Sequence, residues 1–329
     1  MRSREMWLPS TLLAVLAFGV AATGAEPAQP AKPATAPAKQ QHFASADAAA
    51  TALLAAVKSG DSAAMLAVLG PDAKPILDSG DAVADREMME RFTASYDAAH
   101  KLTSTNARRS ELVVGKDEWP FPIPIVKESA GWRFDTAAGQ EEILDRRVGR
   151  NERSTIQTCL AVVDAQREYY TRNPNKDPLL HYARRFNSTE GKRDGLYFST
   201  GEDEEQSPLG ELVAQARDEG YTNKPVPYHG YYYRILDAQG PNARDGAYSY
   251  VAKGELIGGF AVVAYPAIYD NSGVMTFIVN QDGVVHQKDL GPDTAKTARA
   301  IERFDPDKSW ERVPDQEQEP EAISAADAE

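Results

Sequence analysis

From residue 136 to residue 173, apolar side chains return at helical spacing for roughly ten turns. The run passes through Ile143, Leu144, Val148, Ile156, Cys159, Leu160, Val163 and Tyr170 before Asn173-Pro174 closes it. A helix of that length spans about 55 Å and exceeds what one small core can cover. The rest of the chain must therefore be arranged along it. Its first half is crowded with charge (Glu141, Glu142, Asp145, Arg146, Arg147, Arg150, Glu152, Arg153), whereas its second half is amphipathic. That is the pattern of a rod that bridges two domains. Gly149 is the position where a break is expected. A length of 329 residues also suits two domains of ordinary size. The expected organisation is a domain over 42–138, a bridging helix over 139–173 and a second domain over 174–313.

Ahead of the long helix, Ser45 is placed to cap a helix carrying Leu53, Leu54 and Val57, which Gly60 stops. Asp61 caps a second helix with Met65, Leu66, Val68 and Leu69, ended by Gly70-Pro71. A third is expected to start near Asp85 and carries Met88, Met89, Phe92 and Tyr96. The pattern then changes period. Residues 111–114, 121–127 and 132–135 are short apolar or aromatic runs separated by Gly and Pro and predict strands. Pro120, Pro122 and Pro124 remove alternate backbone donors, so the middle strand should be an edge or irregular one.

Beyond the long helix, residues 174–228 predict mostly loop with one short helix near 209–218. Strands follow at 231–236, 260–265 and 274–280, the last joined through Gln281-Asp282-Gly283 to 284–288. Trp310 is expected to fold back onto this meander. Helices followed by antiparallel strands, twice over, give an α+β class: a helix-wrapped curved sheet first, then a meander packed on the long helix.

The two ends have their own composition. Arg2 and Arg4, an apolar stretch over 11–22 and the small residues Thr23-Gly24-Ala25 predict a cleavable secretory signal over 1–25. The mature chain is then expected in the periplasm or outside the cell, with no transmembrane anchor left after cleavage. No cysteine stands near the cleavage site, which excludes a lipoprotein anchor. Residues 26–41 alternate Pro, Ala, Lys and Gln and predict an extended tether; residues 314–329 hold six acids and no base and predict a solvated tail. Cys159, the only cysteine, cannot close a disulfide within the chain, and on an apolar helix face it predicts a buried small hydrophobe. Loss of Arg2, Arg4 and Glu5 with the leader takes the net charge from −13 to −14. That balance argues against nucleic acid or an anionic membrane as partner.

Several stretches are similar to those of one bacterial family: Trp132-Arg133-Phe134-Asp135, residues 146–152, Asp194-Gly195-Leu196-Tyr197, residues 228–232 and Gly258-Gly259-Phe260-Ala261. The chain resembles, over residues 43–313, the exported family catalogued as domain of unknown function 2950. Two further resemblances concern shape. Residues 43–135, by helix order and the Gly-Trp-Arg-Phe-Asp ending, are similar to ketosteroid-isomerase-like cones, which implies a pocket. Residues 155–291 are similar to the globular heads of type IV pilins and pseudopilins, although here the helix preceding the head is charged and internal.

Four sets of residues are candidates for chemistry. Glu202, Asp203, Glu204 and Glu205 concentrate carboxylates in one loop, as calcium requires, but lack the spaced ligand pattern of a calcium loop; a solvated acidic loop is the competing account. His229 among Tyr228, Tyr231, Tyr232 and Tyr233 offers an acid or base beside phenols, while strand alternation puts Tyr231 and Tyr233 on one face and explains them by packing. Tyr96 and His100, four apart on a predicted helix, are candidates for the mouth of the first domain's pocket. No paired histidines, phosphate loop, nucleophile elbow or dinucleotide fingerprint is present, so no cofactor is expected. The expectation is a non-enzymatic binding or assembly protein with an envelope protein as partner. The alternative is a small-molecule binder or enzyme using the pocket of the first domain.

Overall fold

In the computed structural model, residues 39–201, 204–222 and 226–314 are described. The expected leader, most of the tether, Glu202, Asp203 and the acidic tail from residue 315 lie outside them. Helix α1 (Ala46–Ser59) begins where Ser45 accepts the Ala48 N–H and ends at Gly60, whose φ of 65° is a left-handed cap. Helix α2 (Ser62–Leu69) is capped by Asp61 and stopped at Gly70. A 3-10 turn (Pro71–Ala73) and the short helix α3 (Lys74–Leu77) lead to α4 (Ala82–Ala98). Helix α4 starts at Ala82, three residues earlier than expected, with Asp81 as its N-cap. Asp85 instead turns back, and its carboxylate accepts the Ser79 N–H.

An antiparallel sheet follows: β1 (His100–Asn106), β2 (Arg109–Val114), β3 (Trp119–Pro120), β4 (Ile125–Glu128) and β5 (Gly131–Phe134), in the order β1-β2-β4-β5 with β3 on the end of β2. The proline-rich run is split as its missing donors require, but its ordered part, β4, lies between β2 and β5 and is no edge. Strand β1 was absent from the sequence pattern because only Leu102 is even partly covered, leaving no alternation to detect. Order also reaches further back than composition implies. Gln40 donates to the carbonyls of Leu69 and Phe134 at 2.9 Å, and the Gln41 N–H donates to Ala67 O at 2.8 Å.

Helix α5 (Gln140–Arg172) is 33 residues long and unbroken at Gly149. A glycine costs a helix only about 1 kcal/mol, and the turns on both sides of this one are anchored by buried side chains. Asn173, in the left-handed conformation, ends the helix. After α6 (Gly210–Asp218) come β6 (Tyr231–Leu236), the ribbon strands β7 (Ala238–Gln239), β8 (Tyr248–Ser249), β9 (Val251–Ala252) and β10 (Glu255–Leu256), then β11 (Ala261–Pro266), β12 (Met275–Asn280), β13 (His286–Asp289), α7 (Thr294–Arg299) and β14 (Glu311–Arg312). The main sheet is open and antiparallel, ordered β14-β13-β12-β11-β6. The fold is α+β. Gly283, with φ 79°, makes the turn between β12 and β13.

Two apolar cores result. One gathers Leu53, Met65, Leu112, Ile123, Ile125 and Phe134 between α1, α2 and the first sheet. The other packs Ile156, Cys159, Val163 and Tyr169 of α5 against β6, β11 and β12, with all six residues of β11 buried. Burial pushes the Cys159 thiol up to about 12, as suits a core hydrophobe. Tyr233 reaches toward α5 at Thr155, while Tyr232 packs on Tyr265, so the tyrosines alternate as the strand demands. No helix among the described residues is long and apolar enough to cross a membrane.

Between the cores lies a buried polar seam. Arg147, 5% exposed, donates to Pro75 O, Ile76 O and Asn271 Oδ1. Asn271 donates onward to Asp78 O at 3.0 Å, and Asn151 to Ser272 O at 2.9 Å. Asp81 caps α4 with one carboxylate oxygen; with the other it accepts the Tyr221 O–H at 2.8 Å and the Gly230 N–H at 2.9 Å. Asp81→Ala removes a helix cap worth about 1 kcal/mol and strands two donors at about 1–3 kcal/mol. A loss of about 2–4 kcal/mol is therefore expected in urea unfolding. Asp97→Ala, which breaks only the exposed pair with Lys58, should stay within about 0.5 kcal/mol. Equal losses for the two variants would show that the seam carries no special load.

Candidate ligand-binding site

The packing of α1, α2, α3 and α4 over the first sheet leaves a chamber of about 330 Å³. Its floor is apolar and buried: Leu53, Met65, Leu69, Ile76 and Val114 are each at most 5% exposed. One side of α4 supplies Met88, Met89 and Phe92, and α5 closes the wall with Ile143. The mouth is where exposed residues join the lining, namely Trp119, Arg91, Arg146 and Arg150. The Arg146 guanidinium lies 5.4 Å from the centre of the Trp119 ring, a cation–π contact that holds both at the rim. Arg91 is paired with Glu87 and Arg146 with Glu142, each one turn away on its own helix.

A second, polar pocket of about 160 Å³ adjoins the chamber through Met88, Arg91 and Arg150, which line both. Asp85, Glu87, Asn151, Ser154, Glu219 and His229 also face it. His229 sits in the turn before β6 with φ 49°, and its Nε2 lies 3.5 Å from Glu219 Oε2. That contact is too loose to be a hydrogen bond, and Glu219 Oε2 has no hydrogen-bond partner among the described residues. Burial lowers the His229 pKa, with Asp81 and Glu87 opposing the shift and Arg150 adding to it. Burial likewise raises Glu219 and Asp85; hydrogen bonds from Ser79 oppose the Asp85 shift. The enclosure of this corner favours the neutral form of each group.

The residues singled out from sequence fall in different places. Tyr96 is 4% exposed and His100 is exposed, and neither lines the chamber. His100 is not on the helix as expected; α4 ends at Ala98 and His100 opens β1. The two rings still stack at 4.0 Å, and His100 Nδ1 donates to the Tyr96 carbonyl at 3.0 Å. The apolar face of α4 turns Phe92 inward and leaves this pair beside the chamber. Tyr231 is fully buried, with its phenol raised well above the usual value by burial, then by Glu152. Its hydroxyl donates to Met275 O at 3.0 Å, and a Cβ on Gly273 would lie 2.0 Å from that oxygen. Tyr231 is thus a packing and hydrogen-bonding residue remote from either pocket. Of the acidic run, Glu202 and Asp203 lie outside the described residues. Glu204 pairs with Arg193 at 2.9 Å and Glu205 with Arg172 at 2.7 Å. Among the described residues no group of three or more His, Cys, Asp or Glu is placed to hold a metal. Of the four single residues proposed, only His229 faces a pocket.

The sequence reading missed the rim arginines and Trp119. Ile143, Arg146 and Arg150 stand at i, i+3 and i+7, one helical stripe, and that spacing was the available signal. The His229 shift predicts a pH dependence. Above about 6.5 both the folded and the unfolded chain hold this ring neutral; below it the unfolded chain takes up the proton first, so stability is lost as pH falls. Asn tolerates the left-handed backbone, which makes His229→Asn the suitable comparison. Between roughly pH 7 and pH 5.5, wild type should lose more unfolding free energy than the variant. Parallel pH profiles would return His229 to an ordinary histidine.

Comparison with curated proteins gave no match, and comparison with solved structures gave none either. The cone and pilin-head likenesses thus gain no support from a known structure. The stretches that carried the family resemblance do meet in space, since Arg147 and Asn151 of one and Gly230 of another lie in the same seam. Residues 40–313 match the family described as "Protein of unknown function (DUF2950)", and the chain belongs to that family.

Proposed function

We propose that this is an exported, non-enzymatic binding protein that holds a small, largely apolar molecule in the chamber under α1–α4. The observation that carries the proposal is the chamber itself. At about 330 Å³ it is roughly twice the ~150 Å³ apolar void that admits benzene, and it falls at the lower end of the ~300–1,000 Å³ of small-molecule sites. The floor residues are apolar and buried, so an apolar guest gains about 25 cal/mol for each Å² of its surface removed from water there. The lining holds no histidine, carboxylate, cysteine or lysine; its ionisable groups are arginines, which do not exchange protons near neutral pH. This supports binding over catalysis. Export is supported by the composition of residues 1–25, and an envelope protein remains the partner class that such a location offers.

The neutral fluorescent probe N-phenyl-1-naphthylamine should bind saturably with one site per chain. Val57→Phe, which places a ring into the chamber, should abolish that binding while leaving Tm unchanged or higher, because the added atoms fill existing space. Undiminished probe binding by a folded Val57→Phe protein, or no saturable binding by wild type, would overturn the chamber as the site. For export, chain recovered by osmotic shock of the producing cell should begin at Glu26. Full-length chain confined to the cytosol would refute the leader.

A further inference from the structure

We infer that the chamber's ligand is an anionic amphiphile: an apolar body with a single carboxylate or phosphate head, the head seated by Arg150, with Arg91 and Arg146 beside it, where the chamber meets the polar pocket. This deepens the binding role proposed above and depends on it. The chain as a whole is acidic, with a net charge of −13. Yet the only charged residues lining the chamber are the three arginines, all at its mouth. Their local balance is what matters. Glu87 compensates Arg91 and Glu142 compensates Arg146, but no carboxylate stands within ion-pair distance of Arg150 among the described residues. Arg150 is therefore the one guanidinium of the lining without a direct ion pair among the described residues.

Arg150 also stands where an amphiphile's head would fall. It lines both cavities, with the apolar floor on one side and the polar pocket on the other. Although the residue is exposed, enough protein surrounds its guanidinium that desolvation, then the nearby charge of Arg91, lowers its pKa; Arg153 adds to this, and Glu87 opposes it. An incoming anion relieves that unfavourable field and gains charge-assisted hydrogen bonds from a planar fork suited to carboxylate or phosphate. The polar pocket sets a limit in the other direction. Asp85, Glu87 and Glu219 face it, so an anionic head is held at the arginine line and does not pass further in. Trp119, 40% exposed at the rim, offers a flat apolar surface to the part of the ligand next to its head.

The test is displacement of N-phenyl-1-naphthylamine from the whole protein by four ten-carbon compounds: decanoate, decyl phosphate, 1-decanol and protonated decylamine. Decanoate or decyl phosphate should displace the probe at concentrations at least tenfold below 1-decanol, and decylamine should be the weakest of the four. The tighter of the two anions identifies the head group. Arg150→Gln should bring both anions to the level of 1-decanol measured on the same variant, and Arg150→Lys should retain part of the preference. If 1-decanol displaces as well as both anions in wild type, the anionic assignment falls while the chamber stands. If Arg150→Gln keeps the full preference, Arg150 is not the seat. Absence of any probe binding removes the chamber itself. The wild-type ranking decides the ligand class even if a variant folds poorly.

Discussion

A guanidinium buried between two hydrophobic cores has few acceptable neighbours, and Arg147 finds them in backbone carbonyls. Pro75 and Ile76 belong to α3, a helix of one turn in which the Asp78 N–H closes on Lys74 O and leaves the Pro75 and Ile76 carbonyls to find donors elsewhere. Arg147 supplies the missing donors, and Asn271 completes the set from the loop before β12. The cost of burying the charge is visible in its pKa, which desolvation lowers and the charge of Asp85 partly restores. Groups that satisfy one another in this way cannot be removed singly. Loss of either side leaves a buried charge or several buried carbonyls without partners, a penalty of about 3–5 kcal/mol for a charge.

That constraint fixes where α5 lies, and one stretch of α5 then serves three neighbours at once. Ile143, Arg146 and Arg150 face the chamber; Arg147 and Asn151 face the seam; Ile156, Cys159 and Val163 continue into the second core. Three stripes on a single helix are possible because 3.6 residues per turn rotate each successive set by a fixed angle. Glu152 contributes at the same level by accepting the N–H groups of Val274 and Met275, both at 2.9 Å, at the start of β12. The dense charge of the helix's first half, which on its own suggested a solvated bridge, is in large part committed to these contacts.

Much of the local structure was legible in the sequence because it follows from short-range chemistry. Ser45, Asp61, Gly60 and Gly70 mark helix ends by the hydrogen bonds and dihedrals they allow, and Asp282-Gly283 marks a hairpin. What escaped depends on partners far along the chain. The helix expected near Asp85 starts instead behind Asp81, whose carboxylate also takes donors from Tyr221 and Gly230, some 140 residues away. Strand β1 is polar because it lies at an edge, and Gly149 does not break α5 because tertiary contacts outweigh its small intrinsic cost. Met88, Met89, Phe92 and Tyr96 were read as apolar residues at helical spacing, but periodicity does not distinguish a side chain that packs, as Tyr96 does, from those that line a cavity. The rim arginines were hidden for a related reason, since charged residues on a long helix resemble any solvated surface until a cavity is found beside them.

Chamber and seam share walls, so the ligand binding proposed above is tied to the packing of α4 against α5. Met88 lines both cavities and lies 3.9 Å from an Arg147 nitrogen, so one side chain touches the apolar void and the buried charge together. A guest that fills the chamber holds Met88 and its neighbours on α4 in place. It thereby keeps water away from the Arg147 hydrogen bonds, which strengthen as the local dielectric falls. Filling also adds stability in proportion to RT ln(1 + [L]/Kd), because only the folded chain has a chamber. On the binding role proposed above, a ligand in the chamber would bear on the side chains of α4 that also border the seam between the two cores.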